Sequence, residues 1–144
     1  MTIDNAKTID RSEGLQQIKD RHGEKYYMKP QATDEAARLW GVEAQISGTP
    51  LNVDTVILLD EGHLFAAVHF SMTGQGHWLV GVSGSYSACG MTYHPSVWAC
   101  AGYADYEAAW QEAMCRLRRF IIYAAKGRRL KNILAKLAAA ENEA

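Results

Sequence analysis

The stretch VDTVILLDEGHLFAAVHFSMTGQGHWLVGVS, residues 53–83, decides the fold. Two runs rich in β-branched, aliphatic and aromatic residues, 53–59 and 63–70, flank Asp60-Glu61-Gly62, a three-residue connection with glycine where a left-handed backbone is needed. Val53, Thr55, Ile57 and Leu59 share one face of the first run; Leu64, Ala66, Val68 and Phe70 share one face of the second. Val56, Leu58, Phe65 and Ala67 leave the other faces apolar as well, so the hairpin is expected to be central and covered on more than one side. Gly-Gln-Gly at 74–76 turns the chain again, and 77–83 adds a third strand to an antiparallel meander. A fourth strand falls within 91–101, where Pro95 confines it to an edge.

Helices are predicted on either side of this meander. Downstream, Asp105 is an N-cap for a long helix through Lys126. Tyr106, Trp110, Ala113, Leu117, Phe120, Ile121 and Ala124 form its apolar stripe, opposite Gln111, Glu112, Cys115, Arg118 and Arg119. Gly127 breaks it, and a final helix carries Leu130, Ile133, Leu134 and Leu137 on one face. Upstream, residues 1–9 read as a flexible lead-in. Asp10 and Glu13 fit a capping box for a helix over about 11–22, with Leu15, Ile18 and His22 on one side and Gly23 as its stop. Tyr26, Tyr27 and Met28 read as an extended stretch ended by Pro30, and Thr33 as the N-cap of a second helix over about 34–41. The prediction is therefore an α+β chain: a single domain over 10–144 in which a three- to four-stranded meander packs against a long C-terminal amphipathic helix, with short N-terminal helices and a final C-terminal one.

Composition bounds the function. A length of 144 residues suffices to bury a core without staples, and a formal net charge of −1 gives no overall pull toward polyanions. Three cysteines without a Cys-x-x-Cys do not make a disulfide framework. The polar N-terminus carries no apolar signal core and no run spans a membrane, so a cytoplasmic location with no membrane partner is expected. Charge is nevertheless unevenly spread. Residues 61–104 hold one acid, Glu61, and no base, whereas 105–144 hold eight bases and five acids.

Four chemistries compete for these residues. Cys89, His94 and Cys100, with His69 or His77, could ligate zinc, but closely spaced ligand pairs are missing and no metal or cofactor is implied. Cys89 in its small-residue surroundings, with His63, His69, His77 or His94 as base, gives a Cys/His enzyme, the third-ranked reading because no orienting carboxylate or amide can be assigned. GVSGSYSACG, residues 81–90, lacks the lysine of a phosphate loop. Arg116, Arg118, Arg119, Lys126, Arg128, Arg129, Lys131 and Lys136 fall within 21 residues unbroken by an acid. Such a run is either a solvated helix face or a contact surface for phosphates or an acidic protein. A charge-poor loop expected over 84–104 adds Tyr86, Tyr93 and Trp98, residue types that dominate protein contacts.

HWLVGVSGSY at 77–86, a proline-containing loop and ADYEAAWQEAMCRLRRFI at 104–121 together resemble a small sheet-plus-helix module of phage and plasmid accessory proteins. That resemblance implies a mobile-element accessory protein, inhibitors of host defence among them, and assigns no catalytic residue. The expected function is therefore non-enzymatic binding of a protein or protein–nucleic-acid complex. The contact residues would be Arg116, Arg118, Arg119, Lys126, Arg128, Arg129, Lys131, Tyr86, Tyr93 and Trp98. Weakly sequence-specific nucleic-acid binding through the same helices is the alternative, and the Leu130–Leu137 stripe is expected to pack either on the chain's own core or on a second copy.

Overall fold

In the computed structural model, which describes residues 7–144, the meander is the centre of a six-stranded antiparallel sheet. Its strands are β1 (Thr8–Asp10), β2 (Asp54–Asp60), β3 (Leu64–Met72), β4 (Trp78–Tyr86), β5 (Cys89–Tyr93) and β6 (Ala101–Tyr103). Its helices are α1 (Ser12–His22), α2 (Pro30–Trp40), α3 (Tyr106–Ala124) and α4 (Gly127–Glu143). β2 to β5 pair successively as hairpins. The outer side of β4 is shared: β5 pairs with Val82–Tyr86, while β6 meets Trp78 and carries β1 beyond it. The fold is α+β, as the periodicities predict.

Strand parity divides the interior in two. Leu64, Ala66, Val68 and Phe70 of β3 and Val80, Val82 and Tyr86 of β4 face the C-terminal helices, where Ala109, Ala113, Met114, Leu117 and Ile121 of α3 meet them. α4 adds Ile133 and Leu137 to the same core, so of the two coverings expected for the Leu130–Leu137 stripe it is the chain's own core that buries these residues. Leu79 points the other way, into a second core with Leu15, Ile18, Ala36, Trp40 and Val97. Burial of both faces explains why the central strands are apolar throughout.

The long helix starts where expected. Asp105 accepts a 2.8 Å hydrogen bond from the Ala108 amide, an N-cap that draws its carboxyl below the usual range, and Lys7 beside it acts in the same sense. On β2 a bulge between Ile57 and Leu59 shifts the register, so Val56 and Leu59 share the helical side while Thr55 and Ile57 face outward. The sequence assignment of Thr55, Ile57 and Leu59 to one face is corrected by that extra residue.

Other local expectations change for identifiable reasons. Of the lead-in, residues 1–6 lie outside the described residues, but Thr8–Asp10 is a strand, paired with Ala101–Tyr103. Asp10 ends that strand and accepts from the amide and hydroxyl of Ser12, so it holds the helix entry without a box to Glu13. Tyr26–Met28 is a 3₁₀ turn, and Pro30 begins α2 at a position where its missing N–H costs nothing. Thr33 is therefore inside the helix, buried, with its hydroxyl on the Ile46 carbonyl at 3.3 Å. The largest change concerns the loop expected over 84–104. β4 continues to Tyr86, Ser87 turns the chain with φ of 57°, and β5 and β6 take up eight of the seventeen residues that follow, 88–104.

Candidate functional site

The β5 hairpin and the C-terminal half of α3 enclose a hollow of about 300 Å³. Pairing fixes its floor: Val82 opposes Tyr93 and Gly84 opposes Met91, so these side chains face α3. The would-be Cβ of Gly84 lies 2.8 Å from the Phe120 ring, which lets α3 sit close at this point. Arg116, Arg119, Phe120 and Tyr123 complete the walls. No acid lines the hollow. Arg116 is held by Glu112 at 3.0 Å and donates to the Val80 carbonyl at 3.3 Å. Arg119 touches only the Cys115 sulfur, at 3.4 Å, and has no carboxylate partner among the described residues. Tyr93 and Tyr123 stand largely in solvent at 64% and 78% exposure.

Three contact residues named from the sequence, Arg116, Arg119 and Tyr93, thus converge. Tyr123, Met91 and Phe120 were missed. Tyr123 lies one helical turn beyond Arg119, and that spacing was the available signal. The remaining bases separate. Arg118 pairs with Glu141 of α4 at 3.5 Å and Lys136 with Glu61 at 2.7 Å. Lys126, Arg128 and Lys131 are exposed around the α3–α4 corner. Arg129 and Lys136 line a second hollow of about 400 Å³ with His63 and Tyr86. Tyr86 belongs to the first core at 8% exposure and presents little to solvent. Trp98 does not join the basic surface at all. It packs into the second core against Tyr26, ring centroids 4.7 Å apart, so its place in a common contact surface is corrected.

The cysteine and histidine residues make different company from that expected. Cys89, Cys100 and Cys115 are free thiols, Cys100 exposed and the other two half-buried. Among the described residues no group of three His, Cys, Asp or Glu side chains gathers in a way that could hold a metal. Histidine hydrogen bonds run to hydroxyls and a carboxylate rather than to a thiol. His69 is buried on the sheet face opposite α3, with Nδ1 2.8 Å from the Thr55 hydroxyl and Nε2 2.7 Å from that of Ser83. The three side chains tie β2, β3 and β4 together.

Burial lowers the His69 pKa from its ordinary 6.5, and His94, whose ring centroid lies 5.3 Å away, adds to the effect. The unfolded chain therefore takes up this proton before the folded one does. Stability present above pH 6.5 drains away as pH falls through the folded-state value. Urea midpoints are expected to drop between about pH 7.5 and about pH 5, above the range where carboxylates protonate. His69→Gln, which keeps a polar side chain but does not titrate, should flatten that part of the profile. An unchanged slope in the variant would assign the effect to another group.

Among the described residues, no helix is long and apolar enough to cross a membrane. No protein-family model matches the chain, and neither a curated protein nor a solved structure matches it.

Proposed function

We propose that the chain is a non-enzymatic binding protein that holds a macromolecular partner on α3, α4 and β5. The observation that carries this reading is the convergence of Arg116, Arg119, Tyr93, Met91, Phe120 and Tyr123 around one outward-facing hollow without an acid. Arginine and aromatic residues combine charge, area and low rotamer loss, and they concentrate binding energy in protein interfaces.

A protein partner is favoured over naked nucleic acid by the ion pairs. Arg116, Arg118 and Lys136 are already matched to Glu112, Glu141 and Glu61, so the run of bases leaves a shorter set of free charges. Affinity for a phosphate backbone grows with the number of phosphates neutralised, and this surface neutralises few. The resemblance to phage and plasmid accessory proteins extends the reading to a cytoplasmic host complex that processes nucleic acid or acts in defence.

The test is site-specific photocrosslinking in cells. A photoreactive residue replacing Tyr123 should capture a defined protein, and one replacing Gln31 on α2 should not. Capture should vanish when Arg119, Arg128 and Arg129 are changed together to glutamate, with folding unchanged by circular dichroism. Equal capture from both positions, or an oligonucleotide complex that weakens steeply with salt, would replace this reading.

A further inference from the structure

We infer that the partner's contacting segment is an extended acidic peptide that adds as a strand to the free edge of β5. The inference rests on the proposed binding function and specifies what enters the hollow. β5 pairs only with β4, so its other edge offers backbone N–H and C=O groups with no strand against them among the described residues. Proteins guard such edges, because an open edge recruits any extended chain.

The edges at β2 and β5 differ in this respect. β2, on the far side, carries Asp54 and Asp60 at its ends and a bulge between Ile57 and Leu59. These features discourage pairing. β5, Cys-Gly-Met-Thr-Tyr, has no charge, no proline and an unbroken five-residue register with β4. Gly90, Thr92 and Tyr93 are exposed along it. This edge is open where the opposite one is protected.

Strand parity then dictates the peptide's composition. Cys89, Met91 and Tyr93 face α3, so alternate residues of an added strand would stand over Arg119 and Tyr123. An aspartate or glutamate there meets the one groove cation that lacks a carboxylate, and an apolar residue two positions on meets the exposed Tyr123 ring. The intervening residues face away, on the side of Ser83 and Thr92. Backbone pairing supplies affinity and the alternate pockets supply choice, as in other strand-addition modes. A second copy of β5 fits poorly, since pairing two copies would bring Arg119 toward Arg119 with nothing between to balance them.

Panning a displayed library of random twelve-residue peptides against the intact protein tests this directly. Enriched sequences should carry Asp or Glu with an apolar residue two positions away, so that both fall on one face of an extended strand, and the synthetic consensus should slow amide exchange along β5. Arg119→Glu and Tyr123→Ala, both at exposed positions, should each weaken that peptide at least about tenfold. Lys25→Glu, at an exposed position just before the Tyr26–Met28 turn and on the other side of the sheet, should leave it within about twofold, since a distant charge has little effect on affinity. Thr92→Pro, which blocks the edge, should abolish binding while circular dichroism reports the fold. Enrichment of peptides without acids, protection elsewhere than β5, no enrichment at all, or self-association that competes with the peptide would overturn the inference. If the Tyr123 photocrosslink still captures its protein in that case, strand addition alone has failed; loss of that capture as well removes the binding function on which it rests.

Discussion

Gly81→Ala is expected to unseat the β5 hairpin, at a cost of about 4 kcal/mol or more, in the range reserved for changes the fold cannot absorb. A Cβ at this position would stand 2.1 Å from the Tyr93 carbonyl oxygen and 2.7 Å from both the His94 carbonyl carbon and the Pro95 nitrogen. All three are backbone atoms, so no side chain can swing aside. Gly81 is where the chain, leaving β5, crosses the back of β4 and brings His94 over His69 and Val97 into the second core. An alanine forces residues 93–95 off the sheet, breaks the Val82–Tyr93 pair and removes Tyr93 from the hollow. Gly90→Ala is the matched control, because its nearest neighbour would be 3.8 Å away. Urea denaturation should separate the two variants widely, the control staying within about 0.5 kcal/mol of the parent. A Gly81→Ala protein as stable as the parent would mean that the crossing is not as close as described.

That crossing also explains which parts of the chain could be read from sequence. The hairpin at 53–70 and the helix from Asp105 announce themselves because their period, turn residues and cap are local signals. The stretch from 84 to 104 has none. Its turn at Ser87 adopts a positive φ without the usual Asn-Gly or Asp-Gly pair, and β6 and β1 are three residues each. They pair with one another across more than ninety residues of chain, Thr8 opposite Tyr103 and Asp10 opposite Ala101. Absence of charge there reads as an unexplained loop in one dimension. In three dimensions it is a strand edge, a crossing under Gly81 and a residue, Val97, at zero exposure in the second core.

The candidate site divides in the same way. The clustering of the bases is legible in a run of eight without an acid. Which of them are already neutralised is not, because Glu61 and Glu141 reach Lys136 and Arg118 only through tertiary packing. Tyr93 and Trp98 are five residues apart and look equivalent in sequence. Pro95 and the crossing send them to opposite faces of the sheet, one into the hollow beside α3 and the other against Tyr26.

Trp40→Ala should cost about 3–5 kcal/mol, the range for deleting a large aromatic from a packed core. Its side chain has no solvent exposure, and the indole N–H donates to the Val97 carbonyl at 3.0 Å. The ring also fills the space left by Gly102, whose would-be Cβ would stand 2.8 Å from it. Removal therefore opens a cavity and strands a buried carbonyl, two penalties that reinforce each other. Trp40→Phe keeps most of the packing and loses the hydrogen bond, so it should fall between the parent and the alanine variant. The location of the damage is the sharper test. Trp40 belongs to the core shared by α1, α2, Leu79 and Val97, whereas α3 and α4 pack on the other face of the sheet. Local opening follows the elements that lose contacts. Hydrogen exchange in Trp40→Ala should quicken in α1 and α2 well before it does in β3, β4 and α3, and the hollow beside β5 should stay formed at temperatures where the N-terminal helices already open. Uniform acceleration through all elements would mean that the two faces unfold as one unit and that the hollow cannot outlast the N-terminal layer.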